Sequence, residues 1–191
     1  MNDAATFARL VSLACHDVRT PLATVHGFMK TLERTVELEP PADRYLEMIG
    51  AASAQMADLL DELSLAARIE GDRYDPALRP ADTLELARHA QERLEGVAVS
   101  GDGTVIETDV EALDRGVSAL VRCTMRHGGL EEVSVVVRGT EIDVSPVTPA
   151  SAPVVLGEDL RDLGAAVAVR LIRRLGGDVG VEGDTLTIRL G

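Results

Sequence analysis

The sequence lacks most of the features that assign a chain to a common class of protein. Its 191 residues contain no tryptophan, two phenylalanines, two tyrosines and two cysteines. Two cysteines provide no disulfide framework, and no apolar run approaches the roughly 18 residues that indicate a membrane span. The chain does not begin with a basic region followed by an apolar one, so no secretion signal is predicted. We expect a cytoplasmic protein with an aliphatic core and no direct membrane insertion.

Positive charge is also scarce. The chain has 19 Lys and Arg residues against 32 Asp and Glu residues, which gives a formal net charge of −13. An acidic surface repels nucleic acid, and no basic run or interleaving of basic and aromatic residues offsets the repulsion locally. Nucleic acid is therefore not an expected partner.

Regularly spaced apolar residues predict a long first helix. Steps of three and four residues form a stripe that is typical of an amphipathic helix with a coiled-coil-like seam. The residues of this seam are Phe7, Val11, Ala14, Val18, Leu22, Val25, Met29 and Leu32. The helix should begin with Asn2 or Asp3 as its N-cap and end near Thr35. Pro21 lies inside it, so a kink or a loosened turn is expected there.

A second helix is predicted from Ala42 to about Glu70, between the stop at Pro40-Pro41 and Gly71. Its seam consists of Leu46, Ile49, Ser53, Met56, Leu60, Leu63 and Ala67. Two helices of about 30 residues, each about 45 Å long, would form an antiparallel hairpin. One hairpin leaves its apolar stripe uncovered, whereas a symmetric homodimer covers the stripe by closing a four-helix bundle. We therefore expect a homodimer.

One polar group on the first helix has distinctive chemistry. His16 lies two residues from both Ala14 and Val18, which turns it about 200° from each around a helix, so it should project into solvent when the seam is buried. An exposed imidazole can attack phosphorus and hold the phosphoryl group covalently. Asp17 can accept the ring proton and strengthen that nucleophile. His16 and Asp17 are therefore candidate catalytic residues.

Two further residues of this helix are candidates for a role in the site. Thr20 lies one turn after His16 on the same face, where its hydroxyl can position an attacking water in the reverse reaction or only bond back to the helix. Arg19 is interpreted as a partner-docking residue or as a solvated charge. The histidines without clustered ligand partners, which are expected to be structural, are His26, His89 and His127. No metal site is expected.

After a linker at about residues 71–80, the pattern changes to mixed helices and strands. Helices are predicted at 81–94, 110–127 and about 159–175, and strands at 97–107 (two short strands around Gly101-Asp102-Gly103), 133–137, 141–144, 179–181 and 185–190. Helices segregated from a small, mostly antiparallel sheet describe an α/β sandwich. The predicted fold class is therefore α+β. A helical hairpin at residues 1–72 forms the dimeric four-helix bundle, and an α/β sandwich follows at residues 78–191.

These motifs resemble those of a known family. The segment His16-Asp17-Val18-Arg19-Thr20-Pro21-Leu22 is similar to the phosphorylation motif of bacterial sensor histidine kinases, and the first 70 residues resemble their dimerisation and histidine-phosphotransfer domain. Residues 81–191 resemble a shortened kinase ATP-binding domain in the order of elements and in Leu163-Gly164-Ala165-Ala166 followed by a helix, Gly176-Gly177 and a hairpin. The resemblance implies a phosphohistidine at His16 and the receiver domains of response regulators as partners.

The second domain departs from this family at the residues that bind ATP. The family's metal-holding asparagine falls nearest to Cys123, in a helix without asparagine, and a thiol is a poor ligand for the magnesium that accompanies ATP. The family's glycine-rich adenine loop falls near Asp143, where both glycines are absent and Pro146 removes a backbone donor. The second glycine-rich segment is reduced to Gly164, beside the negative charge of Asp162. ATP binding is therefore not expected.

The sequence thus predicts a dimeric histidine phosphotransferase of a phosphorelay, which moves phosphoryl groups between receiver aspartates through His16 without ATP. Mg²⁺ would be bound by the partner receiver, so this chain needs no cofactor, and the degenerate ATPase-like domain would serve as a docking surface. Two alternatives remain open. One is an autophosphorylating histidine kinase with a divergent ATP site. The other is a non-catalytic dimeric scaffold or kinase-inhibiting decoy, for which His16 would be dispensable.

Overall fold

The computed structural model of this protein describes residues 3–36 and 39–191. The chain divides into two units, the first ending at Arg73 and the second running from Tyr74 to Gly191. The first unit is a helical hairpin and the second is a mixed α/β domain, so the fold class is α+β, as predicted. Within the described residues, no helix combines the length and the apolar character that crossing a bilayer requires.

The hairpin consists of α1 (Asp3–Thr35) and α2 (Ala42–Glu70). The bounds of α2 are those predicted, and Gly71 follows its last residue. Pro21 lies inside α1, and the helix continues through it without a break. Asn2, one of the two residues suggested as the N-cap, lies outside the described residues.

A row of residues spaced by seven packs the two helices against each other. Seven residues make about two helical turns, so such a row stays on one face. Its buried members are Ala8, Cys15, Met29, Leu46, Ser53 and Ala67. Leu22 and Leu60 complete the row at half-buried positions. We call these eight residues the inner row.

A second apolar row remains exposed in the hairpin. Its members, which we call the outer row, are Phe7, Val18, Val25, Leu32, Ile49, Met56 and Leu63. The predicted seam of α2 divides between these two rows, whereas in the first half of α1 the seam was wrong, because Cys15 is buried and Ala14 is exposed. Alternating steps of three and four residues place successive apolar side chains on two neighbouring lines along a helix. Only the line that forms the inner row faces the other helix of the same hairpin.

The second unit, all of whose residues are described, combines strands and helices. Its elements are β1 (Leu78–Asp82), α3 (Thr83–Arg93), β2 (Val97–Gly103), β3 (Val105–Asp109), α4 (Val110–Gly128), β4 (Val133–Gly139), β5 (Glu141–Ser145), α5 (Ala152–Val155), α6 (Leu163–Arg174), β6 (Asp178–Glu182) and β7 (Thr185–Arg189). Five strands form a sheet in the order β2-β4-β5-β7-β6, in which β2 runs parallel to β4 and the other pairs are antiparallel. β1 and β3 form a separate antiparallel pair.

The core of this unit lies between one face of the sheet and the helices. Val135 and Val137 of β4 and Ile142 of β5 are fully buried, and they join Leu120 of α4 and Ile172 of α6 in one apolar cluster. Fully burying a side chain of this size stabilises the fold by about 1.5–3 kcal/mol. α4 and α6 pack against each other, which places the last turns of α4 beside the start of α6.

Several elements differ from those predicted. The helix predicted at 81–94 begins only at Thr83, because the Asp82 carboxylate caps it by accepting hydrogen bonds from two backbone N–H groups. The two residues before Thr83 belong to β1, so a strand shortens the predicted linker at 71–80. The two strands predicted at 97–107 belong to different ladders, since the buried valines of β4 offer β2 a more apolar partner than β3 does.

The helix predicted at 159–175 also starts later, at Leu163. Asp162 is the reason, because its side chain accepts a hydrogen bond from the Ala165 N–H and so caps the helix. Such capping satisfies one of the four backbone donors that a helix start leaves free. The segment before it contains the short helix α5, which had no periodic signal in the sequence.

Candidate functional site

The candidate nucleophile His16 lies on the solvent side of α1. Its neighbour Cys15 is 1% exposed in the inner row, and a helix turns by about 100° per residue, so the next side chain leaves the interface between the helices. The His16 side chain is 77% exposed. The imidazole is therefore accessible to a second protein.

The neighbouring carboxylate orients this imidazole. His16 Nδ1 lies 3.3 Å from Asp17 Oδ1, and both side chains are exposed. When Nδ1 carries the proton and donates to this bond, Nε2 keeps its lone pair. Nε2 is then the ring nitrogen that can attack phosphorus, and Asp17 is placed to stabilise the positive charge that the ring gains.

Arg19 connects the two helices of the hairpin. Its Nη2 lies 2.7 Å from Asp61 Oδ1 of α2, and the two side chains are 44% and 49% exposed. Sequence reasoning treated Arg19 as a docking residue or a solvated charge and did not single out Asp61. The two residues lie the same number of positions before and after Pro40. The register of an antiparallel hairpin turning at that proline is the signal that could have paired them.

Thr20 is exposed one turn after His16, and its backbone carbonyl accepts a hydrogen bond from Thr24 Oγ1 at 3.2 Å. It therefore shares the exposed face with the candidate nucleophile. Arg73, which sequence reasoning did not consider, donates a hydrogen bond to Ser12 Oγ at 2.9 Å. This contact ties the residues after α2 to the first half of α1.

In the second unit, the end of α4 meets the start of α6. Cys123 of α4 is fully buried, and this burial, followed by the negative charge of Asp162, raises the pKa of its thiol to about 12. A neutral thiol is a poor ligand for magnesium. Asp162 Oδ1 accepts the Ala165 N–H at 3.0 Å. Its carboxylate thus occupies the helix N-terminus, where a phosphate would otherwise find free donors.

The expectation that His127 has no clustered ligand partners is wrong. His127 Nε2 lies 3.4 Å from Asp162 Oδ2, and ligand atoms of Cys123, His127 and Asp162 all lie within 4.8 Å of one another. A spacing of four residues already places Cys123 and His127 on one helix face. Asp162 is distant in sequence, and only the packing of α6 against α4 brings it to them.

Asp143, where the resemblance places the adenine loop, is engaged within the sheet. It accepts a hydrogen bond from Thr187 Oγ1 at 2.7 Å and pairs with Arg138. The segment that follows β5 is also packed, because Val154 and Val155 of α5 are fully buried. Asp143 is thus already bonded within the sheet, and Val154 and Val155 belong to the core.

Comparisons with known proteins agree with this arrangement. Residues 8–72 match the family model of the His Kinase A (phospho-acceptor) domain. The chain is similar in fold to full-length ShkA, solved in complex with AMPPNP, with a TM-score of 0.67 and 19% identity over 94% of this chain and 44% of that chain. It is also similar to the histidine kinase AdeS of Acinetobacter baumannii, with a TM-score of 0.58 and 14% identity over 92% of this chain and 97% of that chain. A search of curated protein sequences finds no match.

Residues 8–72 of the hairpin are therefore similar to a His Kinase A phospho-acceptor domain, and the chain shares its fold with ShkA and with the histidine kinase AdeS. The chain spans less than half the length of ShkA, at 44%.

The ion pair between Arg19 and Asp61 should contribute little to stability, because solvent screens exposed charges. A double-mutant cycle of Arg19→Met and Asp61→Asn, measured by urea unfolding, should give a coupling of about 0.2–1 kcal/mol. A coupling well above this range would contradict the assignment of an ordinary exposed pair. A separate test assigns Arg19 to partner docking: phosphoryl transfer from a partner should then be slow in Arg19→Met and unchanged in Asp61→Asn.

Proposed function

We propose that this protein is a histidine phosphotransferase, which passes phosphoryl groups between receiver aspartates of response regulators through a phosphohistidine at His16 and without ATP. The observation that carries the proposal is the His16 imidazole, 77% exposed and held at Nδ1 by Asp17. The match to a phospho-acceptor domain over residues 8–72 includes this histidine and supports its role.

The transfer needs only groups that this chain and a receiver possess. His16 Nε2 attacks the phosphorus of the receiver's aspartyl phosphate, so a P–N bond forms while the P–O bond breaks, and the receiver carboxylate leaves with the bonding electrons. The Nδ1 proton stays in the bond to Asp17, whose charge offsets the positive charge on the ring. Attack by a second receiver's carboxylate reverses these steps. The receiver supplies Mg²⁺, and positioning and charge neutralisation provide most of the catalysis.

Several residues of the second unit support a reaction without ATP. The only asparagine in the sequence is Asn2, so this unit has none to hold a nucleotide-bound metal. Cys123 is a neutral thiol, Asp143 is bonded to Thr187, and Asp162 caps α6. We propose that this ATPase-like domain has kept its packed core as a docking surface for receivers.

The second candidate function is that of an autophosphorylating histidine kinase with a divergent nucleotide site. The observation in its favour is the fold shared with ShkA, which was solved with AMPPNP bound. A non-catalytic scaffold is the third candidate, and loss of His16 would not affect it.

His16→Ala should abolish phosphoryl transfer to this chain without unfolding it, because exposed substitutions change stability little. In the test, this chain is incubated with phosphorylated receivers of the same organism, in the absence of ATP. The measurement is the amount of labelled phosphate on this chain that is released by acid and resists base. His26→Ala, an exposed histidine of the same helix, is the matched control and should retain full transfer. Asp17→Asn keeps a hydrogen-bond acceptor but loses the charge that offsets the cationic ring, so transfer should slow by about 10²–10³-fold.

Label that persists in His16→Ala, or that survives acid, would contradict the phosphohistidine. A wild-type chain that takes no label from any competent receiver would favour the scaffold.

ATP with magnesium should give no binding heat in calorimetric titration and no label on His16. The physical reason is that the Asp162 carboxylate, the neutral Cys123 thiol and the packed segment after β5 occupy the positions where a nucleotide needs hydrogen-bond donors, a metal ligand and space. Micromolar affinity, or label transferred from ATP to His16, would favour the kinase instead.

We also propose that the protein forms a homodimer, in which the outer row of one hairpin covers the outer row of the other. Val25→Glu places a charge on this row and should dissociate the dimer, because an unpaired charge is costly to bury. Thr31→Glu, at an exposed position of the same helix off the row, should leave it intact. Light scattering at micromolar concentration measures the oligomeric state of both variants. A folded wild-type monomer would contradict the dimer.

A further inference from the structure

A cluster of three metal-ligating side chains in the second unit has no part in the phosphotransfer proposed above. Cys123 and His127 come from the last turns of α4, and Asp162 immediately precedes α6. One ligand atom of each, a sulfur, an imidazole nitrogen and a carboxylate oxygen, lies within 4.8 Å of the other two. Ligand atoms on one tetrahedral ion lie about 3.3–3.8 Å apart, so small rotations of these side chains would let one ion contact all three.

The His127 imidazole has an unmet requirement at this cluster. Among the described residues, its Nε2 is a buried side-chain atom without a hydrogen bond. Asp162 Oδ2 is 3.4 Å away, close enough for an ion pair but not aligned for a hydrogen bond. A buried polar atom without a partner destabilises the fold, so this nitrogen needs one.

The Asp162 carboxylate divides its two oxygens between two tasks. Oδ1 is held by the Ala165 N–H at 3.0 Å, which fixes the plane of the carboxylate. Oδ2 faces His127 and is the oxygen available to a metal. A ligand oriented by a second contact of its own is typical of protein metal sites.

From this geometry we propose that Cys123, His127 and Asp162 bind Zn²⁺. Thiolate and imidazole are ligands that favour zinc over magnesium, and three protein ligands leave the fourth tetrahedral position for water. On binding, the thiol proton leaves to solvent and a Zn–S bond takes its place. The ion would join the end of α4 to the start of α6. This site does not depend on phosphotransfer at His16.

Without a metal, burial and Asp162 keep the Cys123 thiol protonated. A zinc ion reverses that balance, because its charge stabilises the coordinated thiolate. The alternative without metal is the contact between His127 Nε2 and Asp162 Oδ2 alone, at 3.4 Å.

The full chain, freed of metal with a chelator, is titrated with Co²⁺ and then with Zn²⁺. We expect a single Co²⁺ per chain, with the visible bands of four-coordinate cobalt and a thiolate-to-cobalt charge-transfer band that Zn²⁺ displaces. Cys123→Ala keeps the buried packing and should lose the charge-transfer band. Asp162→Asn keeps the helix cap, and its Zn²⁺ affinity should fall at least as far as the loss of a supporting contact causes, about 10–100-fold.

Cys15→Ala and His89→Gln are the matched controls, since neither residue belongs to the cluster, and both should bind as the wild type does. Absence of a thiolate band in the wild type, or its persistence in Cys123→Ala, would overturn the proposal and leave only the contact between His127 and Asp162. If Cys123→Ala fails to fold, Asp162→Asn still decides, because unchanged affinity in that variant also overturns the site.

Discussion

The burial of the inner row determines the chemistry of the hairpin. Cys15 and Leu22 face α2, so His16 has to face solvent, and Asp17 follows it along the exposed surface. A shift of one residue in the helix face would bury the imidazole and expose the thiol. The accessibility of the proposed nucleophile, His16, thus results from buried side chains that would take no part in the proposed reaction.

The ATPase-like domain shows the same dependence on packing. α6 lies against α4, and its first residues need a partner for their free N–H groups. Asp162 supplies that partner, and in doing so it places a negative charge beside Cys123 and His127. One capping residue therefore occupies a backbone donor at the helix start and lies with Cys123 and His127 in a set of side chains whose chemistry suits a softer cation than magnesium.

Local patterns in the sequence were sufficient to predict much of this structure. The α2 helix, the β4–β5 hairpin and the β6–β7 hairpin were all recognisable because apolar periodicity, proline and glycine mark them within a short stretch of chain. His16 is exposed as predicted, but the reason differs, because Cys15 is the buried neighbour while Ala14 and Val18 are exposed. The pairing of β1 with β3 was not predictable in this way, because distant segments form it.

The candidate sites also differ in whether their residues are close together or far apart in the sequence. His16 and Asp17 are neighbours in sequence, and their contact could be anticipated. The contacts of Asp61 with Arg19 and of Asp162 with His127 join residues far apart in the chain. Hairpin register was an unused signal for the first, whereas only the packing of α6 against α4 creates the second. A metal at the second cluster would neutralise the Asp162 charge and yet keep its carboxylate over the start of α6. Because Asp162 Oδ1 would still accept the Ala165 N–H, that backbone donor stays occupied with or without the ion, and the cap and the proposed metal site use different oxygens of one carboxylate.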